Sequence, residues 1–131
     1  MKLSMEDILL INAFEKVSQV TPKDCIVKDN TISYLVKEKD MGKAIGKNAI
    51  NVKQLEKALN KRIEIIGFYE KPEDVLSKTF QIKINEAKTK NKKLLLNVNA
   101  IDKKKIFINS RRFRIVKEII ERNYGLEMIL N

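Results

Sequence analysis

One order of elements, helix-strand-strand-helix-helix-strand, is written twice along this chain, and few folds accommodate it. In the first copy Leu10, Phe14 and Val17 recur at helical spacing, with Ile11 on the same stripe and Ser4 and Asp7 placed as a capping box. Pro22 ends that helix, because the residue before a proline avoids the α region. Cys25–Lys28 and Thr31–Lys37, joined by Asp29-Asn30, read as a hairpin, with Ile32, Tyr34 and Val36 alternating toward one better-buried face. Asp40–Ile45 is a short helix, Ile50–Leu59 a longer one, and Ile63–Ile66 a strand ending at Gly67.

In the second copy Pro72–Thr79 opens with proline at a first helical position and acids in the first turn. Phe80–Asn85 and Lys93–Val98 are expected as strands around a lysine-rich connection, 86–92. Asp102–Ile106 and Arg111–Asn123 are expected as helices, the latter with Ile115, Ile119 and Ile120 inward and Gly125 as its stop. Leu126–Leu130 completes the copy as its last strand. The pattern predicts an α+β chain of two domains, 1–68 and 69–131. Their joint at Gly67–Pro72 is short enough to predict that they pack as one rigid unit.

Between the two helices of the first copy stands a glycine-hinged basic turn, Gly46-Lys47-Asn48-Ala49. A glycine there lets backbone N–H groups and a lysine approach a phosphate. The turn resembles the GxxG loop with which a KH module clamps the backbone of about four nucleotides. Ala49 replaces the last glycine. It is expected to be tolerated by taking helical angles in the first turn of the next helix. Gly42, Lys43, Ile45, Ile50 and Lys53 flank the turn, the isoleucines as an apolar floor for bases. The corresponding positions of the second copy are Phe107, Ile108, Asn109 and Ser110, with no glycine left to form a clamp.

Charge supports the same chemistry. The chain has 27 Lys+Arg against 17 Asp+Glu, a net charge of +10, the electrostatic footprint of a nucleic-acid binder, although a salt-laced lysine-rich surface produces it too. Residues 1–68 carry 12 basic and 9 acidic side chains, and residues 69–131 carry 15 and 8, so the second half holds most of the excess. There Lys103, Lys104, Lys105, Arg111, Arg112 and Arg114 flank the degenerate loop and read as a phosphate-tracking surface. The cluster Lys88, Lys90, Lys92 and Lys93 either joins that surface or decorates a solvated hairpin. Phe113, among isoleucines, is expected in the core; Phe107 is either core or a stacking platform for a base.

Other classes find little support. The chain has no histidine and a single cysteine, Cys25, which excludes His-dependent nucleophilic constellations, His-based zinc sites and an internal disulfide. Cys25 lies in an apolar run and is expected as a buried strand residue. No Walker-type sequence or paired-carboxylate pattern occurs. A non-enzymatic protein without cofactor, metal or small-molecule substrate is expected. No apolar run approaches the roughly 18–20 residues of a membrane span, and the amino terminus turns acidic where a signal peptide would be apolar. These features predict a soluble cytoplasmic protein.

Three stretches, Thr21–Val27, Lys39–Asn48 and Tyr69–Leu76, occur in order and resemble the archaeal NusA-like proteins, which consist of two tandem type II KH domains. The resemblance implies a single-stranded RNA-binding factor of transcription elongation, termination or antitermination, with RNA lying across both KH units. It also implies a chain without the polymerase-binding N-terminal and S1 domains of bacterial relatives. A competing reading is a KH scaffold kept for protein contacts, whose basic second half meets an acidic surface of RNA polymerase or a ribosomal protein.

Overall fold

The structure is a computed structural model that describes residues 3–131. Met1 and Lys2, the start of the segment read above against a signal peptide, lie outside the described residues. The chain divides into two compact units, the first ending at Phe68 and the second running from Tyr69 to Asn131. Each contains, among the described residues, three α-helices and one three-stranded sheet in the expected mixed order. Among the described residues no helix is long and apolar enough to cross a membrane.

The first unit begins with α1, Met5–Ser18. The Ser4 hydroxyl accepts the Asp7 N–H at 3.1 Å, and the Asp7 carboxylate accepts the Ser4 N–H at 3.2 Å, so the capping box is reciprocal. Gln19, at φ 62°, turns the chain out of the helix. Strands β1, Asp24–Lys28, and β2, Thr31–Lys37, pair antiparallel with Cys25 opposite Tyr34. A 3-10 turn, Glu38–Asp40, leads into α2, Met41–Ile45. Helix α3, Ile50–Leu59, stops at Asn60 in the left-handed region. Strand β3, Arg62–Phe68, then returns parallel to β2 and runs one residue past Gly67.

Both helices of the crossover pack on the sheet with α1, because Phe14, Tyr34, Val36, Ala44 and Leu55 are buried in one cluster. The rings of Phe14 and Tyr34 stack with centroids 4.3 Å apart, and the Tyr34 hydroxyl donates to the Leu10 carbonyl at 2.7 Å. Burial, assisted by Cys25, pushes the Tyr34 phenol well above its ordinary range. Cys25 is buried, as expected of a strand residue. The expectation of one better-buried face for β2 needs correction, since Thr31 through Val36 are all buried. The strand is central, and Ile26 and Ile66 flank its second face beside Ser33 and Leu35.

In the second unit α4, Pro72–Phe80, has Pro72 in its first turn with Glu73 and Asp74. A strand was expected next at Phe80–Asn85, and here sequence and structure differ. Phe80 closes α4, Gln81 terminates it at φ 55°, and the strand β4 is Glu86–Lys90. Phe80 and Ile82 alternate because both drop into the core as the chain leaves the helix. The true strand lies at the sheet edge and is largely exposed, so its polar sequence resembles a loop. Asn91 and Lys92, both at positive φ, form a two-residue turn into β5, Lys93–Asn97. Lys88 stands on this solvated hairpin within 3.0 Å of Glu86.

Helix α5, Ala100–Ile108, is longer than expected, and Asn99 caps it by accepting the Asp102 N–H at 2.8 Å. Helix α6, Ser110–Tyr124, buries Ile115, Val116, Ile119 and Ile120 and ends at Gly125, φ 67°. Strand β6, Glu127–Leu130, completes the sheet parallel to β5. The Tyr124 hydroxyl donates to the Tyr69 carbonyl and accepts the Tyr69 N–H at 3.2 Å, which ties the end of α6 to the start of the unit. Burial raises the Tyr124 phenol to about 12, against the lowering effect of its bond to Tyr69 and with a further push from Asp74.

Candidate nucleic-acid interface

The basic turn of the first unit is a short loop held at both ends by the helices it joins. Gly46 donates its N–H to the Gly42 carbonyl at 3.0 Å, which closes α2. Its own angles, φ 81° and ψ 165°, are essentially restricted to glycine. A Cβ on Gly46 would lie 2.9 Å from Ile50 Cγ2 and 3.0 Å from the Asn51 amide. That amide is committed, since Asn51 Nδ2 donates to the Lys43 carbonyl at 3.0 Å and fastens the end of α2 to the start of α3. Reading the sequence assigns no role to Asn51. A polar residue at the second position of a helix beside a glycine loop is the available signal.

Asn48 and Ala49 follow at φ 55° and 59°, ψ 31° for both. The expectation that Ala49 takes helical angles is therefore corrected: it is left-handed. The chain must reverse between two packed helices in four residues, and this pair makes the reversal, with the Ala49 N–H donating to the Gly46 carbonyl at 3.0 Å. Asparagine visits this region readily, whereas alanine does so at a steric cost. The helix that follows has no side chain on its first N–H groups, because Ala49 occupies the N-cap. An uncapped helix N-terminus presents N–H donors and a partial positive charge to an anion.

The structure brings the first set of candidate residues together. Gly42 and Lys43 lie on α2, Ile45 ends it half-buried, and Ile50 and Lys53 occupy the start of α3. Lys43, Lys47 and Lys53 are exposed, and none forms an ion pair within 4.0 Å among the described residues. Gly42 is not needed for packing, since a Cβ there meets nothing within 4 Å. Ile50 remains 51% exposed beside the loop, an apolar surface left uncovered next to the uncapped N–H groups.

The second unit differs at the matching corner. Only Asn109 separates α5 from α6, and its side chain accepts the Arg112 N–H at 3.4 Å, so the chain caps its own helix. Lys104 and Lys105 lie on α5, the latter 4.0 Å from Asp102. Arg111, Arg112 and Arg114 occupy the first turns of α6, with Arg114 exposed and the other two half-buried. Phe113, expected in the core, is only half-buried; its ring lies edge-to-face with Phe107, which is exposed.

Two αββααβ units, the first with a glycine turn opening an uncapped helix, define the KH class of nucleic-acid-binding module. The KH domain family model matches residues 10–117, and this chain belongs to that family. Within it, the chain is similar to proteins named "probable transcription termination protein NusA". The one from Methanocaldococcus jannaschii is 40% identical over 67 residues, covering 51% of this chain and 37% of the relative. The one from Methanococcus vannielii is 41% identical over 69 residues, covering 53% and 40%. The one from Halococcus morrhuae is 34% identical over 68 residues, covering 50% and 49%. The matches thus span about half the length, or less, of these curated relatives. The solved structure titled "Crystal structure of APE1850" superposes with a TM-score of 0.82 at 25% identity, covering 98% of this chain and all of that one.

Proposed function

We infer that this protein binds single-stranded RNA and acts in transcription termination, its first unit holding the phosphate backbone at Gly46-Lys47-Asn48-Ala49. The observation that carries this reading is the uncapped start of α3 behind a glycine turn whose Lys47, like the flanking Lys43 and Lys53, has no acidic partner among the described residues. A phosphate seated there would accept the backbone N–H groups that no side chain caps and would meet Lys47 and Lys53 as counter-charges. Ile45 and Ile50 would face the bases, and Lys104, Lys105, Arg111, Arg112 and Arg114 would add phosphate contacts from the second unit. The role in termination rests on the names of the relatives.

Titration of labelled single-stranded RNA with wild type and with Lys47→Asp/Asn48→Asp, at several salt concentrations, tests the clamp. Aspartate tolerates the left-handed angles of Asn48, so the double variant changes charge while sparing the turn. It should bind more weakly and with a shallower salt dependence, each lost phosphate contact reducing the slope by about 0.7. Equal affinity and slope would remove the clamp.

A further inference from the structure

The α5–α6 corner has no glycine loop, yet it leaves apolar surface in water that the core does not use. Ile106 is fully buried beneath it, whereas Phe107 is 61% and Ile108 86% exposed. The Phe107 ring is not loose, because it meets Phe113 edge-to-face with centroids 6.5 Å apart. Six cations, Lys103, Lys104, Lys105, Arg111, Arg112 and Arg114, lie within seven residues of that ring along the chain. Asp102 is the sole acid between positions 100 and 114, and it already meets Lys105 and accepts the Lys83 N–H. On the Ile108 side a groove of about 520 Å³ is lined by Thr79, Gln81, Lys105, Asn109 and Arg112.

The geometry points to a nucleobase-stacking site on Phe107, with the flanking phosphates of single-stranded RNA met by Lys104, Lys105, Arg112 and Arg114. This deepens the RNA-binding reading and rests on it, and it gives the second unit a way of holding RNA unlike the backbone clamp of the first. An aromatic face is open to any base, and a neighbouring ring that fixes its orientation lowers the entropic cost of stacking. The charge decides between RNA and a protein segment as occupant. Lysine is depleted from protein–protein interfaces, while nucleic-acid interfaces are strongly positive, and here three consecutive lysines precede the ring by two residues.

The test uses the whole chain and single-stranded RNA carrying 2-aminopurine, whose fluorescence is quenched by stacking. Phe107 is exposed, so its variants should keep the wild-type circular dichroism. Phe107→Ala should weaken binding about 5- to 150-fold, the worth of one stacked base, and relieve the quenching without changing the salt slope. Phe107→Tyr should restore both, and Phe107→Leu neither. If Phe107→Leu binds as wild type does, the patch is a generic apolar contact suited to a protein partner, and the stacking site is overturned. Affinity of Phe107→Ala within about twofold of wild type overturns it as well. The Lys47→Asp/Asn48→Asp variant, run in parallel, separates the two proposals. Loss on Phe107→Ala alone removes the first-unit clamp and retains the stacking site; loss on the loop variant alone does the reverse.

Discussion

Gly46→Ala should destabilise the first unit, whereas Gly42→Ala, four residues earlier, should stabilise it. At Gly46 the backbone sits at φ 81° and ψ 165°, where any residue with a Cβ is strained by about 1–3 kcal/mol. The new methyl would also lie 2.9 Å from Ile50 Cγ2 and 3.0 Å from Asn51 Cγ and Nδ2. Ile50 is half exposed and can swing aside. Asn51 cannot retreat without loosening its bond to the Lys43 carbonyl, a loss of about 0.5–1.5 kcal/mol. Together these terms amount to about 1.5–4.5 kcal/mol of destabilisation. At Gly42 a Cβ meets nothing within 4 Å, and exchanging glycine for alanine inside a helix should add about 0.5–1 kcal/mol. Urea unfolding followed by circular dichroism measures both, with amide hydrogen exchange locating the change in residues 3–68. A Gly46→Ala variant within about 1 kcal/mol of wild type would refute the loop geometry, because both strain and contact would then be absent. The same variant should lose RNA affinity, since restoring an unstrained backbone moves the N–H groups of the loop.

Ala49→Gly should stabilise the protein by about 1 kcal/mol, because the left-handed angles of Ala49 burden a Cβ and not a glycine; thermal unfolding checks this, and a decrease in midpoint would contradict it. Completing the glycine pair should also leave RNA affinity at least as high as wild type in the same titration. At high pH the second unit should weaken. The Tyr124 phenol stands near 12 when folded, above the 10.0 of an ordinary tyrosine, so the folded state holds its proton more tightly. Its contribution is complete below about pH 10 and is lost as pH rises toward 12. Tyr124→Phe should remove that part of the alkaline loss, seen as a flatter dependence of the urea midpoint on pH, and an unchanged pH dependence would count against a raised phenol at this half-buried position.

Much of this protein is decided by local pattern alone. The helical stripe through Leu10, Phe14 and Val17, the hairpin at Asp29-Asn30, Pro22, Pro72 and Gly125 act through the chain's own sterics and through a period that matches one buried face. They hold wherever the segment is placed, so the doubled αββααβ order and the glycine turn are legible without coordinates. Other features depend on what is packed beside them. β4 is an exposed edge strand whose polar residues pair with β5 for backbone reasons, while the apolar alternation of Phe80 and Ile82 serves the core and not a strand. The left-handed angles of Ala49 arise because α2 and α3 are anchored to one sheet and four residues must join them. The role of Asn51 depends on the end of α2 lying next to it. Phe113 leans on exposed Phe107 because only one face of α6, the face with Ile115 and Ile119, meets the core. The sequence by itself determined the order of the elements and the place of most of them, β4 excepted, because period and steric stops are local. Only the tertiary structure decided the angles of the loop and which side chains face water, because chain closure and packing involve residues far apart along the chain.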